Sequence, residues 1–175
     1  MPTLFDEDKV VKTKYLVVPK VSSERRKYIP IGFMEPLIIA SDLLFIVPEA
    51  ELYHFGILTS KVHMAWMRAV CGSLKSDYRY SKDIVYNNFP WPEPTDKQKE
   101  SIETAAQQVL DARALFPESS LADLYDPLTM PPELTKAHNN LDRAVVAAYG
   151  GPGFTTEAER VADLMKRYLK LVADK

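Results

Sequence analysis

Lys75, Asp77 and Arg79 are spaced two residues apart within Gly72-Ser73-Leu74-Lys75-Ser76-Asp77-Tyr78-Arg79-Tyr80-Ser81. In an extended segment alternate side chains share a face, so these three charges would point one way and Tyr78 and Tyr80 the other. A row of fixed donors with one acceptor is what reading base edges requires. The same spacing suits an ordinary surface ion pair worth about 0–1 kcal/mol, and spacing alone leaves both readings open. Arg25-Arg26-Lys27 is the densest basic run, and Lys61 and Arg68 fall on one face of the helix expected there. Each set is either a solvated surface or a source of phosphate contacts, which supply affinity and register but no sequence information.

The sequence offers no convincing catalytic constellation. It has no Gly-rich phosphate loop. His54, His63 and His138 are separated by at least nine residues, which is not a metal-ligand spacing, and each reads as a structural histidine. Cys71 is the only cysteine, which rules out an internal disulfide and a cysteine-rich zinc site and fits a reducing, cytoplasmic setting. It reads as a small buried hydrophobe. Glu49 and Glu51 read as charges at a helix start. Asn87-Asn88-Phe89-Pro90-Trp91 invites comparison with the Asn-Pro-Pro-Tyr/Phe motif of amino-group DNA methyltransferases. That motif needs two prolines directly after Asn, whereas Phe89 follows Asn88, so the segment reads as a structural corner.

The elements that must hold these residues fall into two halves. Tyr15 to Val18 reads as a strand, and Tyr28 to Gly32 as an edge strand because Pro30 cannot donate to a central ladder. Pro36 to Ala40 and Leu43 to Val47 read as a strand pair joined at Ser41-Asp42. Leu52, Phe55, Leu58, Val62, Trp66 and Ala69 then recur at helical spacing, which predicts one long helix ending at Gly72. A short strand through 74–80 and a looser one near Ile84 to Tyr86 follow. Pro90, Pro92 and Pro94 make a stiff linker, where a domain boundary is expected.

Beyond it the pattern is helical. Thr95 and Gln98 have the spacing of a capping box, followed by the stripe Ile102, Ala105, Val109, Ala112 and Phe116. Residues 117–132 read as a connection with one helical turn near Leu121. Pro131 and Pro132 open a helix with apolar positions Leu134, Ala137, Leu141, Val145 and Ala148. Thr156 and Glu159 make a second capping box before the last helix. The fold class expected is α+β: a small, partly antiparallel sheet with one long helix, followed by a mainly α-helical subdomain.

The chain of 175 residues is 46% hydrophobic and 26% charged, an ordinary globular composition. Its apolar runs fall far short of the ~20 residues that span a bilayer, and no charged-then-apolar leader follows Met1, so neither membrane nor secretion is expected. Net charge is −2, which argues against blanket nucleic-acid affinity. Residues 1–92 carry +2 and the remainder −4, a mild asymmetry.

Three long segments carry a resemblance. They are Phe55-Gly56-Ile57-Leu58-Thr59-Ser60-Lys61-Val62-His63-Met64-Ala65-Trp66, the Gly72 to Ser81 stretch, and Tyr86-Asn87-Asn88-Phe89-Pro90-Trp91-Pro92. With Leu121 to Pro132, Leu141 to Val145 and Glu159 to Ala162, they resemble the C-terminal part of MmeI-like restriction–modification proteins over roughly residues 15–173. Members of that family are large polypeptides with a nuclease domain, an adenine-N6 methyltransferase domain that uses S-adenosylmethionine, a target-recognition domain and a helical C-terminal region.

The resemblance implies that residues 1–94 are the C-terminal portion of a DNA target-recognition domain and 95–175 the helical C-terminal domain. The nuclease and methyltransferase, with their cofactor, would lie upstream of Met1, leaving no catalytic residue and no cofactor in this chain. Double-stranded DNA and those upstream domains are the implied partners. In the family the pair at the Lys75 and Asp77 positions varies together and helps select one base pair. A lysine donating to guanine and an aspartate accepting from cytosine suit a G·C pair, at about 1–3 kcal/mol of discrimination per good contact. Arg79 would add a base or phosphate contact, and Arg25, Arg26, Lys27, Lys61 and Arg68 backbone contacts. The rival reading is a protein-interaction or scaffolding module whose acidic helical half docks on a partner.

Overall fold

The computed structural model describes residues 11–74, 77–150 and 153–173. The α+β class holds: two small antiparallel sheets occupy the first half and helices the second. Strand β1 (Tyr15–Pro19) runs almost directly into β2 (Val21–Ser22), yet the two belong to different sheets. In the first sheet β1 is central, between β3 (Gly32–Met34) and β4 (Leu44–Val47). Tyr15, Leu16, Val17 and Val18 are all buried, without alternation, because both faces of β1 are covered.

Two expected strands are replaced. The segment from Tyr28 to Ile31 is largely buried but makes no ladder, and the edge strand starts only after Pro30, at Gly32. Pro36 to Ala40 is not a strand. Leu37 adopts a left-handed backbone (φ 66°), which breaks any extended run, and β4 pairs with β1 instead.

The predicted long helix is two. Helix α1 (Leu52–Leu58) stops at Thr59, and Ser60 takes an extended backbone that starts α2 (Lys61–Val70). The Ser60 hydroxyl accepts from the His63 amide at 3.4 Å, and the Asp142 carboxylate accepts from the Lys61 amide at 2.7 Å. Two of the amides that a helix start leaves unpaired are satisfied this way.

Past α2 the second sheet forms, with β6 (Asp77–Arg79) between β2 and β5 (Gly72–Leu74). The single strand expected through 74–80 is therefore two antiparallel strands. The segment 82–86 is a π-type turn rather than a strand, with the Ser81 hydroxyl accepting from the Ile84 amide at 3.3 Å.

The remaining helices follow the apolar spacing closely: α3 (Asp96–Ala114), the short α4 (Leu121–Leu124), α5 (Pro132–Ala148) and α6 (Glu157–Ala173). Thr95 and Gln98 form the expected capping box, and the Thr156 hydroxyl accepts from the Glu159 amide at 3.2 Å. Helix α3 packs on both α5 and α1, while α6 packs on α2. Gly56 lets α1 and α3 approach closely: a Cβ there would lie 2.8 Å from Cγ2 of Ile102 and 3.3 Å from Cβ of Ala106. One hydrophobic core joins Leu16, Phe55, Trp66, Ile102, Leu141 and Leu164, so the proline linker does not divide it. That linker is itself pinned, since the Tyr149 hydroxyl donates to the Pro90 carbonyl at 3.0 Å.

A buried polar chain fastens the first half to the helices. The Arg113 guanidinium donates to the Ile31 carbonyl at 2.8 Å and to the Tyr125 hydroxyl, whose oxygen is 2.7 Å from Nε2 of His138. The His138 ring stacks on Tyr28, with centroids 3.9 Å apart. Tyr28 donates to the Asp142 carboxylate at 2.7 Å. Burial, with the Arg113 and Lys61 charges adding to it, holds the His138 imidazole well below its ordinary pKa and so neutral. Burial, helped by the Asp142 charge, pushes the Tyr28 phenol up.

Candidate nucleic-acid interface

The hairpin of β5 and β6 follows α2 and is anchored at its base. Tyr80, the residue after β6, donates its amide to the Lys20 carbonyl at 2.9 Å, and its hydroxyl lies 2.9 Å from Nε2 of buried His63. Phe89 meets the His63 ring edge-on at 4.6 Å, and Nε1 of Trp66 donates to the Val85 carbonyl at 2.9 Å. These aromatics are packing, as their spacing suggested. The two strands and the following turn are thus tied to one helix face by buried groups.

Register decides which side chains look outward. Gly72 pairs with Arg79 and Leu74 with Asp77, and on the other flank Val21 pairs with Arg79 and Ser22 with Tyr78. Directly paired residues share a face. Tyr78 turns toward the core and Ser22 is buried beside it. Asp77 and Arg79 lie on the opposite face with Gly72 and Val21; Arg79 and Gly72 are exposed and Asp77 is half-buried. Lys75 lies outside the described residues. The described residues form two paired strands here, Gly72–Leu74 and Asp77–Arg79, rather than the one continuous strand through 74–80 that alternation implied.

The Arg25 run emerges close by. Strand β2 runs antiparallel to β6, so it leaves the sheet toward the Asp77 end. Arg25 and Lys27 are exposed, while Arg26 is half-buried and reaches the Ala122 carbonyl at 3.4 Å. The Arg68 guanidinium donates to the carbonyls of Arg26 and Lys27 at 3.3 and 3.4 Å and pairs with Glu157 at 2.8 Å. Arg68 thereby fastens the basic turn to α2 and to the start of α6. Lys61 pairs with Asp142 at 3.2 Å and also donates to Asn139 at 3.3 Å, with its side chain 40% exposed. Of the basic residues singled out by sequence, Arg25, Lys27 and Arg79 are on the surface, and Arg26, Lys61 and Arg68 also hold other elements in place.

Sequence reasoning missed Asp142 and Arg113. Asp142 caps α2, pairs with Lys61 and accepts from Tyr28. The available signal was position, since Asp142 falls within the apolar stripe of Leu134, Leu141 and Val145, where a carboxylate needs partners. Cys71 is half-buried, and burial raises its thiol pKa, in keeping with a packing role. Among the described residues no group of three His, Cys, Asp or Glu side chains could hold a metal ion, and no helix is long and apolar enough to cross a membrane.

A half built on small antiparallel sheets, followed by a helical C-terminal half, has known counterparts. The family models for the MmeI target recognition domain and the MmeI C-terminal domain match residues 1–93 and 94–174. The chain belongs to the MmeI family of restriction–modification proteins, as a target-recognition module followed by the C-terminal domain. Its relatives include DNA methyltransferase A of Bacillus subtilis (strain 168), 46% identical over 156 residues, which are 89% of this chain and 18% of that protein. A solved structure of the Type IIL restriction–modification enzyme MmeI in complex with DNA superposes with a TM-score of 0.89 at 50% identity, covering 92% of this chain and 22% of that one. The chain spans about a fifth of the length of these relatives.

Proposed function

We propose that the chain reads a short sequence in double-stranded DNA through the outward face of the β5–β6 hairpin, within a larger protein that methylates adenine. Asp77 accepts from a cytosine amino group, Lys75 donates to the paired guanine, and Arg79 contacts a base or the adjoining phosphate. Arg25 and Lys27 hold the backbone at the same end of the sheet, with Arg26, Lys61 and Arg68 positioning that basic surface. In this reading residues 1–94 do the reading and 95–175 brace them. Methyl transfer, S-adenosylmethionine and any cleavage belong to methyltransferase and nuclease parts that this chain does not span.

The observation that carries the reading is the register of β6: Tyr78 turns inward, which commits Asp77 and Arg79 to the outward face. Weak DNA binding is expected of the chain alone, since its net charge of −2 leaves little general attraction to phosphate. The test exchanges Lys75 and Asp77 together in a full-length relative and maps the methylated sites. One changed base pair in the site is the expected result, and an unaltered site refutes the assignment. The rival, a docking module for another protein, is distinguished by the absence of DNA binding that weakens as salt rises.

A further inference from the structure

We infer that the cleft where α2, α5 and α6 meet is a second binding site for a backbone phosphate of duplex DNA. The inference rests on the DNA-reading assignment above. The cleft has a volume of about 630 Å³ and is walled by Lys61, Asn139, Asp142, Arg143, Phe154 and Arg160 among others. Three cations thus line it against one carboxylate. That carboxylate is already committed: Asp142 is taken up by the Lys61 ammonium, the Lys61 amide and the Tyr28 hydroxyl. Arg143 is exposed on α5 with its guanidinium held by Asn140 at 2.5 Å. Nε of Arg160 is buried without a hydrogen-bond partner among the described residues. A buried donor of this kind costs free energy until an acceptor reaches it, and a phosphate oxygen suits a guanidinium best.

Position supports a shared ligand with the hairpin. Lys61 opens α2 and the hairpin begins just after α2 ends. The ten residues of α2 are about 15 Å long, roughly four base-pair steps at about 3.4 Å each. Between the two lie Arg68 and the turn it holds, so basic groups continue along this helix. The first turn of α6 carries Glu157, paired with Arg68, and Glu159, whose carboxylate accepts from Thr155 and the Thr156 amide. The cleft wall itself carries three cations against one carboxylate, although the chain as a whole carries −2. A C-terminal half that is acidic in sum thus carries a local basic pocket at the junction, which gives that half a role in register as well as in support.

The experiment measures duplex DNA binding by the 175-residue chain across a salt series, for the parent, Arg143→Gln/Arg160→Gln, Arg160→Lys and Arg79→Gln. Circular dichroism and thermal unfolding confirm folding of each. The double variant is expected to reduce the slope of log affinity against log salt by about one to two, as loss of one or two phosphate contacts requires. Its effect should be equal on cognate and scrambled duplexes, and Arg160→Lys should recover part of the affinity. Inorganic phosphate, titrated alone, should compete only weakly, since a free ion lacks the hairpin contacts; saturation at low millimolar phosphate without DNA binding would overturn the inference in favour of a small-anion site. If the double variant keeps the parental slope while Arg79→Gln loses affinity, the cleft assignment falls and the hairpin assignment stands. If the parent itself binds no duplex at any salt concentration, both fall.

Discussion

His63 and Tyr80 meet at 2.9 Å inside the core, one from α2 and the other from the residue that closes β6. The contact couples the helix to the outward-facing strand through two uncharged groups. Burial lowers the His63 pKa to about 3 and pushes the Tyr80 phenol up, so the pair stays neutral across the physiological range.

This pair makes the fold acid-sensitive. The folded imidazole has a pKa of about 3 against an ordinary 6.5, so between these values the unfolded chain binds the extra proton. Stability is then fully present above pH 6.5 and falls as pH drops toward 3, with His138 adding in the same direction. At pH 5 the loss from His63 alone is about 2 kcal/mol. Urea unfolding at pH 7.5 and pH 5.0 checks this, and an unchanged midpoint contradicts it. His63→Gln should flatten the dependence.

Asp142→Ala should destabilise the protein by about 2–4 kcal/mol, because the Tyr28 hydroxyl, the Lys61 amide and the Lys61 ammonium all lose their acceptor. Asp142→Asn should cost less, since an amide oxygen still accepts. Denaturant midpoints of the two variants decide the order, and equal values would show that charge, rather than hydrogen bonding, holds α2 to α5.

Gly56→Ala places a methyl group 2.8 Å from the Ile102 side chain, with Ala106 and Leu141 also crowding it. Overpacking of this kind costs about 1–3 kcal/mol, more than the gain in helix propensity of about 1 kcal/mol. A lower melting temperature is expected. Combining it with Ile102→Leu, which lacks the clashing Cγ2 branch, should recover part of the loss.

Asp77→Asn should leave folding unchanged, since Asp77 forms no ion pair within 4.0 Å among the described residues. In a full-length relative it should relax discrimination at one base pair by about 1–3 kcal/mol. Retained discrimination, measured on duplexes differing at single positions, would remove Asp77 from the reading set.

The helices were legible in the sequence because their apolar positions repeat and their caps are local. Thr95 with Gln98 and Thr156 with Glu159 need only neighbours three residues away. The Thr59-Ser60 break was not legible from period alone, since Leu58 and Val62 continue the stripe across it. Ser60 is a cap that a continuous-helix reading passes over, and its partner Asp142 is supplied from far along the chain. The strands near Pro30 and Leu37 failed for a related reason: apolar composition marked them as buried or extended, whereas pairing was decided by which segment reached β1. For the candidate site, the inward turn of Tyr78 and the outward one of Asp77 and Arg79 follow from alternation. The reversal between Leu74 and Asp77 did not, because alternation carries no information about where a strand folds back.

Gly72 sits opposite Arg79, and a Cβ placed there would meet nothing within 4 Å beyond its chain neighbours, among the described residues. With Asp77 and Arg79 it forms a set of positions that carry almost no packing duty, while Tyr78 and Tyr80, interleaved with them, carry nearly all of it. Variation can therefore accumulate on one side of the hairpin without eroding the fold on the other. Under the proposed reading, such a separation makes the outward side a place where preference for one partner sequence over another can drift, or be redesigned, by few replacements and at little risk to the scaffold.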